Sequence, residues 1–377
     1  MLTEDQKLIR DTVRDFAKTE LTPYSGGWSE RSEFPASALN KMAELGLWGM
    51  MVPEEWGGAG SDTASLVLAL EEVAAGDGAC STILSVTNSV VCGPILKFGN
   101  DQQKERYLRP LAQGEKLGCF CLTEAHAGSD ASAIRSRATI DGDDYVINGS
   151  KVFITSGQHA DIAIVFAITD PEAGKKGISA FIVPTDLAGY EVVKVEKKMG
   201  QHASDTAEIR FDNCRVPVSN RLGKEGEGYK IALSNLESGR IGIAAQCIGM
   251  ARTANEIALE YAQQRTSFGK PIIAHQAVGF RLADMATQLQ AAHLMVIEAA
   301  RLKDAGQPCL QQASMAKLFA SEAAEQICSN AIQVLGGYGY IQDFRVEQIF
   351  RDVRIAQIYE GTSDIQRMVI ARSLTHS

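Results

Sequence analysis

The apolar residues of this chain change their spacing twice, and that change restricts the possible architectures more than any other feature. From Thr3 to about residue 115 the period is helical: Ile9, Val13, Phe16 and Ala17 recur on one face, and Leu66 to Ala75 is a second, strongly apolar stretch. Thr3-Glu4-Asp5-Gln6 reads as a capping box opening the first helix. Pro23, Gly26-Gly27, Pro35 and the loop Pro53 to Gly60 break the block, and Leu96 to Leu111, ending near Pro110, completes it. From about 116 to 222 the pattern becomes short β-branched runs between turn residues, which predicts an antiparallel sheet. Tyr145 to Ile147, then Asn148-Gly149, then Lys151 to Thr155 predict a hairpin, because Asn-Gly suits the two positive φ angles of a type I′ turn. Ile162 to Ile168, Ile178 to Val183, Tyr190 to Val195 and Ala207 to Phe211 supply further strands, with Pro217 near the exit.

After the glycine-rich link Gly223 to Gly228, helical spacing returns through Ile241, Ala245, Ile248 and Ala251, and again through Val278, Leu282, Met285, Leu289 and Ala292. Gly269-Lys270-Pro271, Gly306-Gln307-Pro308 and Leu335 to Tyr340 interrupt it. Long helices joined by short turns predict an antiparallel bundle. The fold class is therefore mainly α with a central β domain: an N-terminal α-helical domain over 1–115, a middle antiparallel β domain over 116–225 and a C-terminal α-helical domain over 226–377.

A chain of 377 residues is long enough for two or three domains. With 37 basic against 46 acidic residues the net charge is -9, which disfavours nonspecific binding to nucleic acid or anionic membrane. A phosphate-bearing ligand would then need local Arg, Lys or helix N-termini. The eight cysteines show no CxxC pair or His-linked metal spacing, which fits a reducing compartment. Cys119 and Cys121, two apart in a strand, read as buried packing. No apolar run approaches a bilayer span, and Met1 leads straight into the first helix without a leader, so a soluble intracellular protein is expected.

Three stretches are hard to explain as packing alone. Phe120-Cys121-Leu122-Thr123-Glu124-Ala125-His126-Ala127-Gly128-Ser129-Asp130 puts small residues and hydroxyls in a loop after a strand, where backbone N–H groups approach an anion or a flat ring. Arg265-Thr266-Ser267-Phe268-Gly269-Lys270, Gln276, and Gln333-Val334-Leu335-Gly336-Gly337-Tyr338-Gly339-Tyr340 combine an arginine at a helix end with paired glycines, which suits a pyrophosphate. A strand followed by G-x-G-x-x-G is absent, so a dinucleotide would be held in a non-Rossmann manner. Ile358-Tyr359-Glu360-Gly361-Thr362-Ser363-Asp364-Ile365-Gln366-Arg367 is a polar loop between apolar runs. An apolar surrounding would raise the Glu360 carboxyl above its reference pKa of about 4.3 and make it a better base.

In this order and at these intervals, FCLTEAHAGSD, VFITSG, RTSFGKPI, QVLGGYGY and IYEGTSDIQR resemble the acyl-CoA dehydrogenases, over essentially the whole chain. The resemblance implies an N-terminal helical domain, a middle β domain and a C-terminal four-helix bundle, with FAD between the last two and touching a neighbouring subunit. It implies a homotetramer, a dimer of dimers. Phe120, Cys121, Leu122, Thr123, Gly128 and Ser129 match positions lining the flavin, with Phe153, Ile154 and Thr155 flanking its ring; many members carry Trp at the position of Phe153. Arg265, Phe268, Gln276, Gln333, Val334, Leu335, Gly336 and Gly337 match positions that hold the ADP half of FAD, generally from the partner subunit. Thr362, Ser363 and Asp364 fall in a further cofactor-contacting segment. Ser129, Tyr229 and Arg240 match positions near the CoA moiety, with Gly361 near the thioester and Glu237 in a substrate-pocket or structural role.

The mechanism implied by the family is an anti elimination in which Glu360 takes the pro-R α-proton and the β-hydride goes to flavin. Some subfamilies place the base immediately before the arginine that matches Arg240; here that position is Gly239. Glu360 in place with Gly239 opposite resembles the short-chain and 2-methyl-branched members, which act in fatty acid and branched-chain amino acid catabolism. The implied partner is an electron-transferring flavoprotein, in a bacterial cytoplasm or, for a eukaryotic source, the mitochondrial matrix. Medium-chain or glutaryl-type specificity, an oxidase, and a non-catalytic or DNA-binding relative on the same fold are the alternatives.

Overall fold

The structure, a computed structural model, describes residues 2–375. The first helix, Glu4–Phe16, opens as the sequence predicts, with Thr3 and Gln6 forming both hydrogen bonds of a capping box. The helix Thr63–Gly76 is buried on nearly every side, because it lies between the N-terminal helices and the long helix Leu236–Gln264. Contact between those two helices is close: a β-carbon on Gly249 would fall 2.1 Å from the Glu71 carbonyl oxygen. The stretch Gly78–Phe98 is long and apolar enough to cross a bilayer, contrary to the sequence expectation, but most of it is buried inside the fold as a core helix. Pro110 lies in an unbroken helical run directly after the π-helical turn Lys104–Leu108, where the Arg109 N–H bonds to the Lys104 carbonyl five residues back and the proline has no N–H to place.

The middle block is an eight-stranded sheet among the described residues. Its strands are β1 (Gly118–Cys121), β2 (Arg137–Asp141), β3 (Asp144–Thr155), β4 (Ile162–Ile168), β5 (Ile178–Pro184), β6 (Tyr190–Val195), β7 (Thr206–Pro217) and β8 (Arg221–Leu222). The order is β6-β7-β3-β2-β4-β5-β8, mostly antiparallel, with β1 running parallel to β4. Both faces of β4 are covered. Ile162, Ile164 and Phe166 pack against Val91, Ile95 and Leu108 of the helical block, while Ala163, Val165 and Ala167 face Tyr145, Ile147 and Phe181 within the sheet domain. Hence its unbroken apolar run.

The Asn148-Gly149 hairpin does not form. β3 is one strand of 12 residues, and Asn148-Gly149 makes an irregularity in its pairing with β7. The glycine answers a different need, since a β-carbon there would sit 2.3 Å from Ser136 Oγ. Asn148 Oδ1 accepts from the Asn213 N–H at 2.8 Å across the same irregularity. The true hairpin joins β2 to β3 through Gly142-Asp143, with Gly142 at φ 63°.

The C-terminal block packs the helices Leu236–Gln264, Gln276–Asp304, Leu310–Leu335 and Ser363–Leu374. Between the first two, Thr266–Ser267 and Lys270–Pro271 form a small hairpin turning at Phe268-Gly269, both at positive φ.

Candidate active site

Glu360 lies in the loop between the 3-10 turn Arg354–Gln357 and the helix Ser363–Leu374, and its backbone is left-handed at φ 54°, followed by Gly361 at φ 88°. A non-glycine residue there is strained, by about 1–3 kcal/mol, and persists only if its surroundings hold it. They do. Lys317 Nζ donates to the Gly361 carbonyl at 2.6 Å; Gln366 Nε2 donates to the same oxygen at 2.9 Å and to the Glu360 carbonyl at 3.3 Å. The Tyr359 hydroxyl donates to Gln246 Oε1, and Gln246 Nε2 donates to the Gly78 carbonyl at 2.7 Å, tying the loop to the N-terminal block. Backbone hydrogen bonds engage the N–H groups of Ile358 and Tyr359 and leave that of Glu360 without a protein acceptor among the described residues.

The carboxylate itself reaches Gly239, one residue before Arg240 on the helix Leu236–Gln264: a β-carbon at 239 would fall 2.6 Å from Oε2. Burial pushes the Glu360 carboxyl above the ordinary range, opposed by the charges of Lys317 and then Arg240. Arg240 is buried, donates to Ser314 Oγ at 3.2 Å, and leaves its Nε without a partner. Lys317 is 0% exposed, and burial pushes its ammonium down to about 8. The result is one carboxylate, raised in basicity, between two buried cations.

The loop after β1 is held by a second buried charge cluster. Glu124 Oε1 accepts from Lys151 Nζ at 2.8 Å and from Ser136 Oγ at 2.7 Å, while Oε2 accepts from the Arg135 N–H at 2.7 Å. Lys151 also donates to the Leu122 carbonyl at 3.0 Å. Cys121 and Ile154 point into the sheet core, so only their main chains are available to a ligand, and Phe120 packs edge-on against Phe166 at 5.0 Å. Leu122 packs against the helical side, whereas Gly128 and Ser129 are exposed. Phe153, at φ 60° within the second irregularity of β3, turns its ring away from the core and is 64% exposed.

Arg265, Val334, Leu335, Gly336 and Gly337 converge on one cavity of about 500 Å³, whose wall also includes Tyr261, Ser267, Ile272, Tyr338 and Ile341. Gly336, at φ 61°, and Gly337 have open space where side chains would project. Three expected neighbours do not line this cavity: Gln276 and Gln333 are exposed on their helices, and Phe268 stands 94% exposed on the small hairpin. Thr362 caps the last helix by accepting from the Ile365 N–H at 3.2 Å, Ser363 Oγ is buried without a partner, and Asp364 is exposed in the first helical turn.

Of the expected substrate residues, Arg240 and Gly361 belong to the Glu360 cluster. Glu237 lies one turn before Arg240, where the Cys309 thiol approaches its carboxylate at 3.8 Å. Tyr229, on the helix Gly228–Leu233, lies under Lys175 at 5.2 Å. The charge of Lys175 also acts on Asp130, next to Ser129.

Lys317 and Gln246 are absent from the sequence expectations, and Gln366, Glu124 and Lys151 appear there only within longer stretches, with no role of their own. One signal was available for Lys317: Ala313, Ala316, Ala320 and Ala324 mark the buried stripe of its helix, and a lysine four residues after Ala313 falls on that stripe. The amides carry no comparable mark.

Family models describe this chain in three consecutive parts: "Acyl-CoA dehydrogenase, N-terminal domain" over residues 3–115, "middle domain" over 119–214 and "C-terminal domain" over 226–375. It is 47% identical over 376 residues to the mitochondrial short-chain specific acyl-CoA dehydrogenase of Rattus norvegicus, covering 100% of this chain and 91% of that one. Among solved structures it is similar to butyryl-CoA dehydrogenase from Megasphaera elsdenii, with TM-score 0.97 and 42% identity over 100% of this chain and 99% of that one. A chain in the structure described as the electron transferring flavoprotein of Acidaminococcus fermentans matches with TM-score 0.99 and 45% identity, covering 100% and 99%.

Proposed function

The chain belongs to the acyl-CoA dehydrogenase family of FAD-dependent enzymes, and from that premise we propose that it oxidises a short-chain or 2-methyl-branched acyl-CoA to its trans-2-enoyl-CoA, with an electron-transferring flavoprotein as acceptor. The observation that carries this reading is the Glu360 carboxylate, raised in basicity by burial and held on a strained loop against Gly239. The short-chain preference is supported by the similarity to proteins named for short-chain and butyryl substrates, and the acceptor by the flavoprotein structure at TM-score 0.99.

The residues present fit FAD. Exposed Phe153 offers an aromatic face to a flat ring, the cavity at Arg265 and Gly336-Gly337 offers a cation and open main chain to a pyrophosphate, and Ser363 Oγ is a buried hydroxyl lacking a partner. Bound FAD supplies the two-electron acceptor for the β-hydrogen.

The chain's own residues do the proton chemistry. Glu360 takes the α-proton, and the electron pair left on the α-carbon shifts toward the thioester. The free N–H of Glu360 is suited to donate to the thioester oxygen, where negative charge develops. Arg240 and Lys317 stay charged beside that migration, so the cluster keeps cationic neighbours as the negative charge leaves the carboxylate. A homotetramer is part of the proposal, supported by Phe268 and Tyr340, 94% and 85% exposed, which adjoin in sequence the cavity residues Ser267 and Ile341.

The test is an anaerobic titration of the purified holoprotein with butyryl-CoA, 2-methylbutyryl-CoA, isovaleryl-CoA and octanoyl-CoA, read at the oxidised-flavin band. Butyryl-CoA or 2-methylbutyryl-CoA should bleach it most effectively. Bleaching by octanoyl-CoA alone would reassign the chain length, and full turnover by Glu360→Gln would remove the base.

A further inference from the structure

We propose that Lys317 is the positioning residue of the base: a buried ammonium that fixes the Glu360-Gly361 turn through the Gly361 carbonyl and whose charge decides the pH at which Glu360 is free to accept a proton. The inference rests on Glu360 being the base. Its starting point is the 2.6 Å hydrogen bond from Nζ to that carbonyl, made by a side chain that is 0% exposed.

A hydrogen bond to a carbonyl needs only an N–H. Gln366 already supplies one to the same oxygen without any charge. Burying an ammonium carries a large desolvation penalty, so a lysine here is accounted for only if its charge has a use that a second amide would not serve. The anionic recipient nearby is Glu360. The groups facing Lys317 are Arg240 and Cys247 from the helix Leu236–Gln264 and Glu360 from the catalytic loop; Glu360 favours the charged lysine, Arg240 opposes it, and the Cys247 thiol, pushed up to about 12 by burial, is uncharged.

The placement separates charge from contact. Lys317 forms no ion pair with Glu360 within 4.0 Å among the described residues; it spends its short hydrogen bond on the main chain one residue later. A direct salt bridge would occupy the carboxylate oxygen that must receive the α-proton. Held one peptide away, the ammonium lowers the carboxylate's proton affinity without capping it. It thereby offsets part of the desolvation that raises the Glu360 pKa. Without that charge the carboxyl would rise further, and the enzyme would hold its base protonated to higher pH.

The experiment measures the anaerobic rate of flavin bleaching by butyryl-CoA from pH 6 to 9.5 for the wild-type holoenzyme, Lys317→Gln and Lys317→Arg, with FAD content and melting temperature recorded for each. Lys317→Gln keeps an N–H donor and loses the charge. Its acid limb should move up by about one pH unit, so that its rate falls by up to about tenfold on the acid side of the limb and much less above it. Lys317→Arg keeps the charge and should hold the limb near the wild-type position. A Gln limb that superimposes on the wild type, or a rate lowered equally at every pH, overturns the proposal by reducing Lys317 to a structural donor.

If Lys317→Gln does not fold, Lys317→Met decides: it also removes the charge, so its acid limb should move up while that of Lys317→Arg does not. A Met limb that superimposes on the wild type overturns the proposal. Full turnover by Glu360→Gln removes the base itself. An inactive Glu360→Gln together with an unmoved Lys317→Gln limb removes only the role of Lys317.

Discussion

The carboxylate of Glu360 occupies the space that a side chain at position 239 would need: a β-carbon built on Gly239 falls 2.6 Å from Oε2 and 3.0 Å from Cδ. The two positions are 121 residues apart, and each is intelligible only through the other. The carboxylate reaches this position from the loop before the last helix because the helix Leu236–Gln264 leaves room for it.

Gly239→Ala should therefore act on catalysis before it acts on folding. The neighbour that must yield is the tip of a flexible side chain, so the helix accepts the methyl group and the carboxylate moves. A displacement of about 1 Å costs on the order of 100-fold in rate. We expect kcat to fall by roughly that factor with FAD content unchanged and melting temperature nearly so, as checked by steady-state kinetics beside thermal melts.

Lys151→Met should unfold the loop after β1 from beneath. It leaves Glu124 buried without its ammonium partner, which costs about 3–5 kcal/mol. Denaturant unfolding measures that loss. Glu124, although burial opposes it, is held below the usual carboxylate range by Lys151 and Ser136. Its contribution is therefore present above the unfolded carboxyl pKa of about 4.3 and lost as pH falls through the lower folded value. The wild-type advantage over Lys151→Met should shrink between pH 5 and pH 3.

Phe268→Asp tests the role of the small hairpin. Phe268 touches little in its own chain beyond an edge-on contact with His275 at 6.0 Å, so an aspartate there costs the protomer little. If the ring docks on a second copy, sedimentation will show smaller assemblies, and FAD retention will drop with them. A tetramer of unchanged affinity would place the interface elsewhere.

Gly149→Ala separates the two readings of Asn148-Gly149. In a loop-end turn the substitution would be a local strain felt by two strands. In the observed strand it drives a methyl group to 2.3 Å from Ser136 Oγ, and Ser136 is one of the donors that holds Glu124. Overpacking of this kind costs about 1–3 kcal/mol. Unfolding should register that loss, and the affinity for FAD should weaken in parallel as the Glu124 cluster shifts.

The block order was legible in the sequence because it depends on hydrophobic period, and a period is a local property of neighbouring residues. Thr3 and Gln6 announced the first helix for the same reason: a capping box is complete within four residues. Tyr190–Val195 matches its expected strand to the residue. The segment around Glu360 was legible too, through the family resemblance it carries.

Tertiary structure decided what local pattern leaves open. Asn148-Gly149 has the chemistry of a turn, but Gly142-Asp143 supplies the turn, and the close approach of Ser136 gives Gly149 its purpose. Gly78–Phe98 has the length and apolarity of a membrane span, yet the folded chain covers most of it. Gly239, Lys317 and Gln366 meet at the Glu360 loop from three different helices. No spacing rule relates them, because the interactions that set the basicity of Glu360 are long-range in sequence and exist only once the helices have packed.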